Sequence, residues 1–238
     1  MRVASHTPGT CVLFDGSHPA GLIAARLNNN PFAAGVHFVT TTTNKTLCGA
    51  RGAFVACLPE WAETMARAVF PGLTAGPHGH EMYAKLVGYV TAQSSAFREL
   101  MSRVQDNARQ MATDLAKTHG VRLVVGGTDT HMVLVDLRSA SDRAPSGLQV
   151  EIWAERCGIY VNRNTIPFDP RPDQNATSRL RIGLGSVSQR GMRRSEIREL
   201  AGVIASIVRC GGNGNVCSQI RRRVSEIASA FPMPGFYR

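Results

Sequence analysis

The run from Val36 to Thr43 constrains the fold most, because its apolar and β-branched residues predict a buried strand. Four consecutive threonines end the run, and Lys45 follows after one asparagine. Glycines at positions 49 and 52 then predict a tight turn. A lysine held at the mouth of a strand loses solvation, which favours the neutral amine that a Schiff base requires. The alternative interpretation is a solvated surface lysine, the more common case after a strand.

An acidic residue occupies a similar position upstream. Thr10 to Phe14 is predicted as a short strand that leads to Asp15 and then to Gly16-Ser17-His18. A carboxylate and a lysine at the ends of two strands suit pyridoxal 5'-phosphate (PLP). The acid keeps the pyridine nitrogen protonated, and the lysine holds the aldehyde carbon.

These residues carry a resemblance to a known family. Asp15-x-x-His18 followed by Thr-Thr-Thr-Thr-x-Lys-Thr-Leu-x-Gly-x-Arg-Gly resembles serine hydroxymethyltransferase (glycine hydroxymethyltransferase), a family of fold-type-I PLP enzymes. The similarity runs from about Cys11 to the C-terminus. Further blocks that resemble the family occur in the same order, at residues 70–77, 126–138, 161–170 and 177–183.

The resemblance implies an α/β fold of the fold-type-I PLP-dependent transferase class, similar to aspartate aminotransferase. Residues 1–93 would form the remaining part of the PLP-binding large domain. Residues 94–238 would form an α+β C-terminal small domain.

The resemblance also implies a set of site residues. Lys45 would form the Schiff base, and Asp15 would pair with the pyridinium nitrogen. The other residues that would contact the cofactor are His18, Asn44, Arg51 and Gly76. Gly76 matches a glycine whose backbone meets the PLP phosphate of a partner subunit in the family. Serine would be cleaved to glycine, and the one-carbon unit would pass to tetrahydrofolate.

Arg181 is the candidate residue for substrate binding. It lies in a predicted short strand between Leu180 and Ile182, and a charge buried there requires a partner. A substrate carboxylate would supply one through two parallel hydrogen bonds. The pattern alone favours a surface arginine, whereas the resemblance implies binding of the amino acid's α-carboxylate.

The sequence departs from the family's pattern at several positions. Asn44 stands where the family has histidine, and Arg179 replaces a glycine. Residues 173–175 read Asp-Gln-Asn where the family has the Ser-Pro-Phe that contacts folate, and residues 184–186 read Leu-Gly-Ser in place of Thr-Pro-Ala. The altered folate loop keeps a second function open, a folate-independent aldolase or transaldolase that acts on β-hydroxy amino acids.

The family's own N-terminal half has no counterpart before Cys11. We therefore expect a truncated or split form with weak or no activity alone. A homodimer, or a companion chain that supplies the missing half, would cover the exposed surface. A third possibility is an inactive fragment that acts as a binding or assembly module.

Composition and motifs narrow the other functional classes to which the chain could belong. The formal charge of +10 keeps a nucleic-acid-binding protein open on charge alone. The arginines at 193, 194 and 198 have helical spacing, however, and no nucleic-acid motif occurs, so we expect no nucleic-acid partner. No run of 18 apolar residues predicts a membrane span, and residues 1–9 do not resemble a signal peptide, so a cytoplasmic location is expected. The six cysteines form no disulfide framework or zinc motif, so we expect reduced thiols and no metal.

The other elements follow from periodicity and turn residues. The Gly-Gly-Thr-Asp sequence at residues 126–129 predicts a hairpin between two strands, and Ser146 is expected to cap a helix. The predicted helices are Ala20–Leu27, Glu81–His119, 147–156, Ser195–Val208 and Val216–Phe231. The predicted strands beyond the first two are 53–57, Val121–Val125, His131–Leu137 and Ile159–Asn162.

Overall fold

The computed structural model of the chain describes residues 9–139, 144–165 and 177–234. The chain divides into two compact units, Met1–Ser102 and Arg103–Arg238. This division falls inside a helix, and the domain boundary expected near residue 93 stays a prediction.

The first unit is built on a three-stranded mixed sheet in the order β1-β2-β3. Strand β1 (Leu13–Asp15) runs parallel to β2 (Phe38–Thr42), and β2 runs antiparallel to β3 (Ala53–Cys57). All three strands were predicted, and β3 has the predicted bounds. Strand β1 begins later than predicted and includes Asp15, which pairs with Thr40 of the central strand.

A short helical crossover joins the two parallel strands. Helix α1 (Ala20–Ala24) buries Leu22, and a 3₁₀ turn at Pro31–Ala34 follows it. The helix is shorter than the predicted Ala20–Leu27. The chain leaves the helical conformation at Arg26, whose φ of 59° lies in the left-handed region.

Three more helices follow β3. A 3₁₀ turn at Pro59–Trp61 leads into α2 (Ala62–Arg67) and a π turn at Ala68–Leu73, and then come α3 (Gly79–Thr91) and α4 (Ser95–Ala116). The prediction of one helix over Glu81–His119 is wrong. Ser94 interrupts it, because its hydroxyl accepts the N–H of Phe97 at 3.1 Å and caps a new helix.

The apolar face predicted within α4 is confirmed. Its predicted members are buried except for Leu100, which is half-buried. The buried members are Phe97, Met101, Val104, Ala108, Met111 and Leu115.

The second unit packs helices against an antiparallel sheet in the order β4-β5-β7-β6. The strands are β4 (Arg122–Leu123), β5 (Met132–Asp136), β6 (Asn162–Asn164) and β7 (Arg179–Gly183). The helices are α5 (Gly147–Arg156), α6 (Gly185–Gln189), α7 (Arg194–Cys210) and α8 (Gly214–Ala230), with a 3₁₀ turn at Leu137–Ser139. Val133, Leu180, Ile197 and Ile207 are among the side chains that fill the core between them.

In the second unit, local sequence explains the confirmed prediction of the α5 cap and the wrong prediction of where the next strand begins. Ser146 caps α5 as expected, and Gln149 completes a capping box with it. The strand predicted at Ile159–Asn162 instead begins at Asn162. The N–H of Ile159 donates to the carbonyl of Ala154 at 2.9 Å, so it still belongs to the end of α5 and cannot pair with a strand.

None of the helices in the described ranges combines the length and the apolar character that crossing a membrane requires.

Candidate functional site

The candidate site lies at the carboxyl edge of the parallel pair β1 and β2. The carboxyl ends of parallel strands meet at one edge of a sheet, where ligands commonly bind. Asp15 is the last residue of β1, and Lys45 follows three residues after the end of β2. The pairing continues past the end of β1, since the N–H of Gly16 donates to the carbonyl of Thr40 in β2 at 2.7 Å. The two turns that follow these strands therefore start side by side.

The carboxylate of Asp15 is exposed and held by the turn that follows it. The backbone N–H of Ser17 donates to Asp15 Oδ1 at 2.9 Å. Hydrogen bonds from the Ser17 side chain and backbone lower the pKa of Asp15, and the positive charges of Lys45 and His18 lower it further. Asp15 is therefore an anion at neutral pH.

The amine of Lys45 lies next to an imidazole. Its Nζ atom is 3.4 Å from Nε2 of His18. The expectation that the strand end removes Lys45 from solvent is wrong, because the residue is exposed. It lies in the turn beyond β2, not in the buried part of the strand. The structure thus brings Asp15, His18 and Lys45 together in one accessible cluster.

Residues 43–52 form a closed turn, which we call the Lys45 loop. The N–H of Thr43 donates to the carbonyl of Gly52 at 2.9 Å, and the N–H of Gly49 donates to the carbonyl of Thr43 at 2.8 Å. Inside the loop, the N–H of Cys48 donates to the carbonyl of Lys45 at 3.0 Å. These bonds close the neck of the loop and fix the backbone on both sides of Lys45.

Thr46 joins this loop to the turn that carries His18, a role that the sequence interpretation missed. Its buried hydroxyl donates to the carbonyl of His18 at 2.6 Å and accepts the N–H of Gly21 at 2.9 Å. A Cβ on Gly21 would lie 2.1 Å from the carbonyl oxygen of Thr46, so only glycine allows α1 to approach the loop this closely. A glycine inside a predicted helix was the available signal.

The remaining residues that were predicted to contact the cofactor are Asn44, Arg51 and Gly76. Asn44 and Arg51 are exposed and belong to the Lys45 loop. Gly76 is exposed in the segment before α3, and a Cβ there would meet no atom within 4 Å. The cofactor roles of these three residues stay predictions.

Arg181 lies in β7 of the second unit. It is half-buried, whereas its neighbours Leu180 and Ile182 point into the core from the other face of the strand. The guanidinium is therefore not enclosed in the core, and the substrate-binding role of Arg181 stays a prediction. One N–H of its guanidinium donates to Oδ1 of Asn162 on the paired strand at 3.1 Å.

Arg179 shares this face of β7, because it lies two residues before Arg181. Its guanidinium donates to the carbonyl of Thr165. Two guanidinium groups thus occupy a strand where the family pattern has one. The rest of the surrounding motif, residues 166–170 and the changed folate loop at 173–175, lies outside the described residues.

The cysteines and the expectation of no metal site concern other parts of the chain. All six cysteines lie in the described ranges as free thiols. Burial raises the pKa of the Cys157 thiol to about 12, and the adjacent Cys217 adds to the shift, so this thiol is protonated and unreactive. Across residues 9–139, 144–165 and 177–234, no group of three or more His, Cys, Asp or Glu side chains is arranged to hold a metal ion.

Comparison with known protein families identifies the family of the chain. The family model described as serine hydroxymethyltransferase matches residues 1–204 of the 238-residue chain. The matched region contains both turns of the candidate site, with Asp15, His18 and Lys45, and the strand that carries Arg181. Because the match covers far more than half of its length, the chain belongs to the serine hydroxymethyltransferase family.

Proposed function

We propose that the chain is a PLP-dependent transferase that interconverts serine and glycine and holds its cofactor on Lys45. Membership of the family implies a PLP fold of type I, and the family uses tetrahydrofolate as co-substrate. One observation carries the proposal for this chain. The Lys45 amine lies 3.4 Å from the imidazole of His18, beside the ionised Asp15, at the edge where two parallel strands end.

The residues of this cluster fit PLP. Asp15 is exposed and its lowered pKa keeps it anionic, so it can accept a hydrogen bond from a protonated pyridine nitrogen. The exposed amine of Lys45 is available to hold the aldehyde carbon. When bound, PLP supplies an electron-withdrawing ring that stabilises negative charge at the substrate's α-carbon.

The remaining steps fall to the chain's own side chains. His18 lies against the Lys45 amine and is placed to exchange a proton with it. Arg181 uses one N–H group on Asn162, and a guanidinium has five such donors, so it can also bind a carboxylate with two hydrogen bonds. In our proposal this contact orients the bond that breaks at the α-carbon.

A folate-independent aldolase is the second candidate. The sequence change that motivates it is Asp-Gln-Asn at residues 173–175, where the family has the Ser-Pro-Phe that contacts folate. Conversion of serine to glycine separates the two functions. A hydroxymethyltransferase converts serine to glycine when tetrahydrofolate is added to accept the one-carbon unit, whereas a folate-independent aldolase cleaves allo-threonine and gains no serine cleavage from the folate.

We also propose that the chain works as an assembly of two copies. The outward face of α3 supports this, because several large apolar side chains on it are half exposed or more, and such a patch is typical of an interface. They are Met82, Tyr83, Leu86, Val87 and Val90. Sedimentation equilibrium would give twice the chain mass of 25.7 kDa for the dimer, whereas a monomer would contradict it. A monomer that is also inactive alone would favour a companion chain or an assembly module.

The proposed cofactor chemistry is tested by an absorbance titration of the chain with PLP. We expect a saturable visible band in the wild type and in Lys117→Ala, which changes an exposed lysine of the second unit. We expect no such band in Lys45→Ala. The same saturable band in Lys45→Ala, or no band in any of the three proteins, would contradict the proposal.

A further inference from the structure

Helix α3 lies directly against the Lys45 loop, and the contact is made between two backbones. A Cβ added to Gly88 would lie 2.9 Å from the Cα atom of Gly49. Gly88 is buried in the last turn of the helix, and Gly49 belongs to the loop. Since the nearest atom is backbone, a larger residue at position 88 cannot be accommodated by a side-chain rotation.

A second contact covers the neck of the loop. The side chain of Lys85 crosses Gly52, whose own Cβ would lie 2.8 Å from Cδ and 3.6 Å from Cε of that lysine. The carbonyl of Gly52 accepts the N–H of Thr43, which closes the loop. The methylene groups of Lys85 therefore cover the residue on which loop closure depends.

The same side of α3 is fixed to the sheet. Tyr89 packs against Phe54 of β3 with the rings at 87° and their centroids 5.7 Å apart. Phe54 pairs with Thr41 on the central strand, two residues before the loop begins. Tyr89 therefore holds α3 to the strand next to β2, while Gly88 and Lys85 contact the loop.

We propose that α3 is the positioning element of the Lys45 loop, with Gly88 setting the distance between them and the Lys85 stem holding the loop neck closed. Neither residue is catalytic in this proposal. Both act through the backbone on either side of Lys45. The effect of the loop position on PLP binding rests on the proposed function, whereas the positioning of the loop itself does not.

Gly88→Ala tests the backbone contact by hydrogen exchange of the intact chain followed by mass spectrometry. We expect exchange of the loop amides that bond within the loop, those of Thr43, Cys48 and Gly49, to become about tenfold faster or more. We expect the amides paired between β2 and β3 to keep their rates. Gly202→Ala is the matched control, because Gly202 is also helical and a Cβ there meets no atom within 4 Å.

Lys85 supplies a second test that introduces no clash. Lys85→Ala should speed exchange in residues 43–52, and Lys85→Met should restore the wild-type rate because its side chain covers Gly52 without a charge. An unchanged loop rate in both Gly88→Ala and Lys85→Ala would overturn the proposal, as would faster exchange spread evenly over the first unit.

A PLP titration of the same variants separates the two proposals. With PLP bound by the wild type, Gly88→Ala should raise the Kd about tenfold or more and Gly202→Ala should leave it unchanged. Faster loop exchange in a chain whose wild type binds no PLP would support the positioning role and contradict the proposed function. Normal loop exchange with normal PLP binding in Gly88→Ala would contradict the positioning role alone.

Discussion

Asp136 should contribute strongly to the stability of the second unit, because its buried carboxylate is held by two arginines. Its side chain is 2 % exposed, and Arg138 donates to it from the backbone N–H and from Nε at 3.0 Å each and from a terminal N–H at 2.8 Å. Arg122 adds a bond at 2.6 Å. Burial alone would raise the pKa of Asp136, but the hydrogen bonds from Arg138 and Arg122 outweigh it and lower the pKa from 3.8 to about 2.

The size and sign of the effect follow from this shift. A shift from 3.8 to about 2, at about 1.4 kcal/mol per unit, corresponds to about 2 kcal/mol of stability. Because the folded-state pKa is the lower one, this contribution is fully present above the unfolded-state pKa. It falls as the pH drops from about 4 towards about 2, and about half is lost by about pH 3.

Urea unfolding followed by tryptophan fluorescence provides the assay. A Trp61→Phe background leaves Trp153 of α5 to report on the second unit. Asp136→Asn should lower the free energy of unfolding at pH 7 by at least about 2 kcal/mol, and the difference from the parent should shrink below pH 4. Asp129→Asn is the control, because that side chain is 90 % exposed in its pair with Arg109 and should contribute less than about 0.5 kcal/mol. Equal losses for the two variants at pH 7 would refute the reasoning.

Three further predictions concern the site and the helix ends. Asp15→Asn should weaken PLP binding about tenfold or more, measured by absorbance titration, because a neutral amide is a weaker acceptor for a protonated pyridine nitrogen; unchanged affinity would contradict the role of the carboxylate. Arg190→Ala should lower the free energy of unfolding in urea by about 1–2 kcal/mol, since its guanidinium donates to the carbonyl of Phe231 at the end of α8. Ser146→Ala should cost about 1 kcal/mol in the same assay through loss of the capping box with Gln149, and a variant as stable as wild type would argue against it.

The sequence predicted the parts of the site that follow from local pattern. The β-branched run that ends at Thr43 and the predicted strand that leads to Asp15 both form strands, and the parallel pairing in the structure places their ends at one edge. Ser146 and its helix were also predictable, because a capping box involves only residues three apart.

Features that depend on tertiary packing were not predictable in this way. The break between α3 and α4 occurs at Ser94, where helix-compatible residues continue on both sides and only the cap marks the boundary. The exposure of Lys45 depends on where β2 ends, and the outward face of Arg181 depends on which side of its strand is covered. A period of two in a strand does not state which face meets the core.

The close approach of Gly88 to Gly49 is a third feature that the sequence alone does not predict. The two residues are far apart in sequence, and a helical glycine has many explanations. The distance between their backbones is what assigns a role to Gly88. That information comes from the fold and not from periodicity.

Reduction with borohydride in the presence of PLP tests the central claim most directly. The chain has only three lysines, Lys45, Lys85 and Lys117, so peptide mapping by mass spectrometry can assign the reduced cofactor to one of them. Our account predicts that sub-saturating PLP is found on the peptide that contains Lys45, and that Lys45→Arg removes it. Equal labelling of the three lysines, or labelling that survives in Lys45→Arg at the wild-type level, would contradict the assignment of Lys45 as the residue that holds PLP.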